Sequence, residues 1–147
     1  MKKIIIVSPG AGGKNHLLSY LKEKGLNLGI SYTTRPKRVG EVEGVDYYFV
    51  SKDKFLEKVD SGLFFEYNMF KDWYYGKTFE EFNNKDVFII TPNRVNKLNR
   101  EKCFIIYLNI PEEVRRQRLI ERDDKNDDVE RRILGDRQDF KDFKAFD

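Results

Sequence analysis

A run of β-branched residues that breaks into a glycine-rich turn and then a lysine constrains this chain more than any other feature. Residues 4–17 read IIIVSPGAGGKNHL. A short apolar strand followed at once by a turn and a helix start is the opening of a strand–loop–helix unit. Gly10, Gly12 and Gly13 tolerate φ > 0 and let backbone N–H groups approach an anion with no Cβ in the way. The helix N-terminus adds the positive end of its dipole, and Lys14 is placed to reach the β- and γ-phosphates of a nucleotide. The phosphate-loop pattern is G-x-x-x-x-G-K-[ST]. Here Ser8 stands at the first glycine and Asn15 at the final hydroxyl, while Gly13-Lys14 fit. A plain strand-to-helix connection shares this local shape, and the preceding strand favours the phosphate-binding reading. The candidate ATP-binding set is therefore Gly10, Ala11, Gly12, Gly13, Lys14 and Asn15. The Asn15 amide oxygen can hold a hard cation weakly, directly or through water. His16 reads as a surface residue.

The rest of the 147 residues suits one domain. The net charge is only +3, so bulk charge gives no case for a nucleic-acid or membrane partner. The one cysteine, Cys103, lies in the apolar run CFIIYL and reads as a buried strand thiol rather than a nucleophile. No internal disulfide is possible, which fits a reducing compartment. No apolar run approaches the roughly 18 residues of a membrane span, and the N-terminal apolar stretch is too short for a signal peptide. These features are read as those of a soluble, cytoplasmic protein.

Buried-type strands are expected near 3–8, 86–90 and 103–108, and helices near 14–24, 52–61 and 112–122, with further helices opening at Pro92 and at about 128. Ser51 and Thr78 read as helix N-caps, Thr78 with Glu81 at capping-box spacing, and Asp127 as the cap of the last helix. Thr91-Pro92 opens another helix with proline at its first position. Strands and helices alternate in the outer segments, whereas 30–80 is β-rich and aromatic, with strands in LFFEYNMF and WYYGK. The expectation is an α/β fold: a parallel-sheet core with an inserted β-containing subdomain.

A second chemical cluster sits in SYTTRPKRVGEVEGVDYYFVS, residues 31–51. Arg35 and Arg38, beside the Ser31 hydroxyl and the Tyr47 phenol, can clamp a phosphate by charge-assisted bonds. An isolated basic loop of this kind is ordinarily a solvated turn. Downstream, Glu66 lies among aromatics and Tyr75 precedes Gly76; a carboxylate there can accept from a purine edge. In RQRLIERDDKNDDVERR, Arg118 and Arg122 share one helix face at i,i+4, and Arg132 lies beyond an acidic loop. Such arginines occur as surface ion-pair residues, but together with a phosphate loop and a second clamp they suit a transferring phosphoryl group.

The motifs S-x-T-T-R-x-x-R-x-G-E-x-x-G-x-D-Y-x-F-V-S and E-(x)7-Y-Y-G, with the glycine loop, resemble guanylate kinase over nearly the whole chain. The resemblance implies a P-loop NTPase-type three-layer core (1–30 and 81–147), a β-rich nucleotide-binding subdomain at about 31–80 and a helical lid at about 112–132. It implies ATP-dependent phosphorylation of GMP or dGMP with Mg²⁺, by a monomer or weak homodimer that uses neither nucleic acid nor membrane. Ser31, Arg35, Arg38, Tyr47 and Tyr75 would hold the GMP phosphate, and Glu66 would read guanine, with Lys77 and Thr91 in the same pocket. Lys14, Arg118, Arg122 and Arg132 would be catalytic. The chain departs from the family pattern at Asn15, at Lys77 (a small hydroxyl residue in the family), and at Ile89 and Thr91, which align with two aspartates. Two further readings therefore stand beside the kinase: a related enzyme with another base preference, and a non-catalytic binding module of the same fold.

Overall fold

The computed structural model describes residues 1–122 and 128–147. In chain order the elements are β1 (Lys3–Val7), α1 (Lys14–Glu23), β2 (Tyr32–Thr33), β3 (Tyr48–Phe49), α2 (Lys52–Asp60), β4 (Phe64–Phe70) and β5 (Trp73–Thr78). Then come α3 (Phe79–Asn84), β6 (Val87–Ile89), α4 (Pro92–Val95), β7 (Cys103–Tyr107), α5 (Glu112–Arg122) and α6 (Val129–Asp139). The expected Asp127 cap and part of the expected lid fall at 123–127, outside the described residues; Asp128 caps α6, accepting from Arg131 N at 3.0 Å. The chain divides into two compact units, 1–26 with 89–147, and 27–88.

The first unit carries the α/β character expected of the outer segments. β1 and β7 belong to this unit and run parallel, with Lys3 opposite Cys103 and Val7 opposite Tyr107; the strand order is β6-β1-β7, β6 straddling the boundary between Phe88 and Ile89. A central strand must be apolar on both faces, and Ile5, Ile6 and Val7 are fully buried. β7 departs from the expected wholly buried strand. Cys103 and Ile105 are buried, but Phe104 between them is 47% exposed, as alternation on a partly covered strand dictates. Beyond β7, Asp147 N donates to Ile105 O at 3.0 Å and Ile105 N donates to Asp147 Oδ2 at 2.7 Å, closing that edge. Burial pushes the Cys103 thiol up, consistent with an inert strand cysteine.

The second unit is a four-stranded sheet, order β3-β2-β5-β4, with β2 parallel to β3 and the β4–β5 pair forming an antiparallel hairpin. Its packing centre is Phe55 of α2, fully buried, with ring centroids 4.6 Å from Phe64 and 5.2 Å from Tyr74. Gly76 lies beneath these rings: a Cβ there would stand 2.8 Å from Phe64 Cε1 and 3.0 Å from Phe55 Cζ. Phe55→Ala should therefore cost about 3–5 kcal/mol of stability by leaving a cavity under the hairpin. Thermal unfolding checks this, and an unchanged midpoint would refute it.

The predicted Ser51 and Thr78 caps form locally: Ser51 Oγ accepts from Lys54 N and Thr78 Oγ1 from Glu81 N, each at 3.2 Å. The Glu81 carboxylate is used elsewhere. It accepts from Ile30 N at 2.9 Å and from the Tyr48 hydroxyl at 2.8 Å. Burial, helped by that carboxylate, pushes the Tyr48 phenol up to about 12.

Candidate active site

Residues 8–13 carry the chain from β1 to α1 as a tight loop. Left-handed backbone occurs at Ala11 (φ 59°) and Gly13 (φ 88°). The glycines at 10 and 12 serve space rather than φ, which corrects the expectation for them. A Cβ at Gly12 would lie 2.2 Å from Ser8 Oγ, and one at Gly10 would lie 2.6 Å from Arg132 Nε. A non-glycine residue in the left-handed region costs roughly 1–2 kcal/mol, so Ala11 is held there by its surroundings. Gly12 N donates to Pro9 O at 3.1 Å, tightening the turn. Gly13 is the N-cap of α1; no side chain caps that helix and no acid occupies its first turn. The positive end of α1 is thus arranged for an anion. Lys14 is half-buried at the first helical position, and Asn15 and His16 are exposed.

Helices α5 and α6 bring arginines to this loop. Arg118 Nη1 donates to Ala11 O at 2.9 Å, holding the strained residue from the carbonyl side. Arg132 is the group whose Nε crowds Gly10. Arg122, the third predicted member, lies exposed at the C-terminal end of α5.

Two residues not foreseen from the sequence complete the cluster. The Gly10 amide donates to Asp136 Oδ2 at 2.9 Å, and Arg115 Nη1 donates to the same oxygen at 3.2 Å. Both side chains are buried. Asp136 had one legible signal: it lies three residues after the buried Ile133, on the inner face of α6. Ion pairs between Arg116 and Glu130 and between Arg137 and Glu112, each through two hydrogen bonds, tie α5 to α6.

The second unit holds the other predicted residues except Thr91. Arg35 is buried and forked onto Glu41, with Nη1–Oε1 2.9 Å and Nη2–Oε2 2.8 Å. Glu41 also accepts from Arg38 N at 2.7 Å, so one carboxylate shapes both halves of the arginine loop. That bond network raises the Arg35 pKa and lowers that of Glu41. Glu41 lies inside the quoted motif but was not singled out, because its partner is set by how the loop folds back. The Arg35 guanidinium lies 5.3 Å from the Tyr47 ring, and Tyr47 meets Tyr75 edge-on at 6.0 Å. Burial raises the Tyr47 pKa.

Two residues further along β5, Lys77 stands opposite Glu66 of β4, with Nζ 3.7 Å from Glu66 Oε1. Desolvation lowers the Lys77 pKa and Glu66 opposes that shift. Arg35, Tyr47, Tyr75, Lys77 and Glu66 thus form one continuous array in the unit 27–88. Ser31 precedes β2, its carbonyl accepting from Tyr48 N at 2.9 Å, and Arg38 is exposed. Thr91 lies in the first unit as the N-cap of α4, its hydroxyl donating to Asn93 Oδ1 at 2.8 Å.

Among the described residues, no group of three His, Cys, Asp or Glu side chains is placed to hold a metal ion, and no helix is long and apolar enough to cross a membrane. Asn15 is the exposed side-chain oxygen donor at the start of α1, and Asp136 Oδ2 already accepts from the Gly10 amide and from Arg115. Such a donor fits only an ion that arrives ligated by nucleotide phosphates.

The chain is 46% identical over 77 residues to a guanylate kinase of Blochmanniella pennsylvanica, a match covering 49% of this chain and 36% of that protein. It is 40% identical over 86 residues to a guanylate kinase of Prochlorococcus marinus, covering 57% of this chain and 47% of the relative. The matched segments thus span between a third and a half of these relatives' lengths. In fold it is similar to the crystal structure of guanylate kinase from Anaplasma phagocytophilum, with a TM-score of 0.70 and 24% identity over 99% of this chain and 74% of that one. The guanylate kinase family model matches residues 1–147, the whole chain from the strand before the glycine loop to the helices carrying its arginines. The chain therefore belongs to the guanylate kinase family.

Proposed function

We propose that the protein transfers the γ-phosphoryl group of ATP to GMP or dGMP, giving ADP and the nucleoside diphosphate. The observation that carries this reading is the array Arg35–Tyr47–Tyr75–Lys77–Glu66, a charged phosphate clamp leading to a buried carboxylate, in a chain that also bears a phosphate loop. In this reading the unit 27–88 takes the acceptor, and the unit formed by 1–26 and 89–147 takes the donor. The protein works in the cytoplasm as a monomer or weak homodimer. Asn15, Ile89 and Thr91 leave the alternative of a non-catalytic module as an outcome of the assay below.

The reaction needs no covalent intermediate. The amides of residues 13 and 14 at the uncapped end of α1 and the Lys14 ammonium hold the β- and γ-phosphates by positioned donors, and Arg118 and Arg132 follow the charge that spreads over the transferring group. Arg35, fixed by Glu41, orients the acceptor phosphate with the Tyr47 and Tyr75 hydroxyls, and Glu66 takes the N–H groups of the base edge. Mg²⁺ bound with ATP would neutralise phosphate oxygens, and Asn15 is the side chain that would meet it. A coupled ADP-release assay with GMP tests the whole reading; no turnover and no ATP binding would replace it with the binding module.

Asn15 makes a separate prediction within that assay. A serine hydroxyl is shorter than the amide and better suited to octahedral Mg²⁺, which tolerates distorted geometry badly. Asn15→Ser should lower the Mg²⁺ concentration for half-maximal rate several-fold, on the order of 1 kcal/mol of ion affinity. An unchanged or rightward-shifted Mg²⁺ titration would refute this role.

A further inference from the structure

We propose that Lys77 determines acceptor specificity: with Glu66 it forms a donor–acceptor couple that reads the C6=O and N1–H edge of a 6-oxopurine, so that inosine 5′-monophosphate is accepted alongside GMP. This rests on the reading of the unit 27–88 as the acceptor site.

The placement comes from the hairpin. Residues two apart on a strand share a face, so Lys77 follows Tyr75 on the side where Tyr75 meets Tyr47 and Tyr47 meets Arg35. Glu66 is the cross-strand neighbour of Lys77 in the β4–β5 register, so both charges lie at the end of the array opposite the phosphate clamp. The Lys77 side chain is 18% exposed and that of Glu66 6%. The 3.7 Å separation lies within ion-pair range but well beyond the roughly 2.7–2.9 Å of a charge-assisted hydrogen bond. The ammonium is therefore tethered by charge, and its three N–H groups can serve a carbonyl placed beside the carboxylate. Burial lowers the Lys77 pKa and Glu66 opposes that, so the ammonium gains from staying next to its partner.

A lone buried carboxylate selects guanine by taking N1–H and the 2-amino group together. It rejects hypoxanthine because an oxygen loses its donor, and an unsatisfied buried acceptor is costly. An ammonium beside the same carboxylate changes both sides of that comparison. It supplies a bond to O6, which guanine and hypoxanthine share. It also compensates the Glu66 charge when no 2-amino group is present. Adenine fails both tests in the same pose, since its 6-amino donor faces the ammonium and it has no N1–H for the carboxylate.

The test is kcat/KM for GMP, IMP and AMP by coupled ADP release, using the full chain, the wild type, Lys77→Ser and Lys77→Arg, with calorimetric binding of GMP and IMP alongside. The expected wild-type result is IMP within about tenfold of GMP, the scale of one modest hydrogen bond, and AMP at least another tenfold lower. Lys77→Ser should lower the IMP value about tenfold more than the GMP value, and Lys77→Arg should keep IMP acceptance. A purely structural ion pair would lower both substrates equally and leave the ratio unmoved, which overturns the proposal. GMP turnover with IMP below one-hundredth of it in the wild type also overturns it, even if Lys77→Ser fails to fold. Absence of both turnover and GMP binding would instead overturn the acceptor-site reading on which the proposal rests.

Discussion

Replacing Lys14 with alanine should reduce phosphoryl transfer at least about 10³-fold, the upper range for loss of a single preorganised donor. Lys14 opens α1 directly after the left-handed Gly13, at a helix end with no capping side chain and no acid in its first turn. The amides that open α1 can hold an anion but cannot follow charge as it moves toward the bridging oxygen between the β- and γ-phosphates; a flexible ammonium can. The fold should survive, since Lys14 is half-buried and alanine is well tolerated in a first helical turn, so the stability change should stay within about 1 kcal/mol. Coupled ADP release and thermal unfolding on the same preparation separate the two effects. A variant retaining a tenth of the wild-type rate would remove the loop from the donor site.

Arg35→Ala should do damage of two kinds. The Arg35 and Glu41 side chains are 5% and 20% exposed and joined by two hydrogen bonds, so deleting the guanidinium strands a largely buried carboxylate. Breaking such a pair costs about 3–5 kcal/mol. It also removes the cation that would meet the acceptor phosphate, which should weaken GMP binding by about 2 kcal/mol.

The pH dependence has a definite sign. Arg35 holds Glu41 below its ordinary value of 4.5, so the pair's contribution is fully present above that value. It is lost as the pH falls below 4.5 through the depressed folded value, when Glu41 takes up a proton. Urea unfolding at neutral pH and in the acid range should show the wild type and Arg35→Ala converging as the solution is acidified. Equal stabilities at neutral pH would remove Arg35–Glu41 from the scaffold, and unchanged GMP affinity by calorimetry would remove Arg35 from the clamp.

Much of this architecture could be read from neighbouring residues, because the interactions that set it act over a few positions. The β-branched run before the glycine loop became the buried centre of the sheet, and the Ser51 and Thr78 caps formed through amides three residues away. Pro92 opened its helix as its fixed φ and missing N–H dictate. The tight Ser8–Gly12 turn and the hairpin bearing Glu66 and Lys77 were legible for the same reason. What the sequence did not disclose was the partner each polar side chain would take once distant segments met. Asp136 reaches the Gly10 amide across 126 positions, and Glu81 leaves its own helix end for Ile30 and Tyr48. Arg118 and Arg132 reached the loop while Arg122 stayed at an exposed helix end, although all three looked alike as charges in one basic stretch. Phe104 is as apolar as its neighbours, yet it is exposed, because coverage of a strand depends on what packs on each face. Caps, turns and periodicity are local free energies; the desolvation of a charge or a ring is decided only by the tertiary contacts that remove it from water.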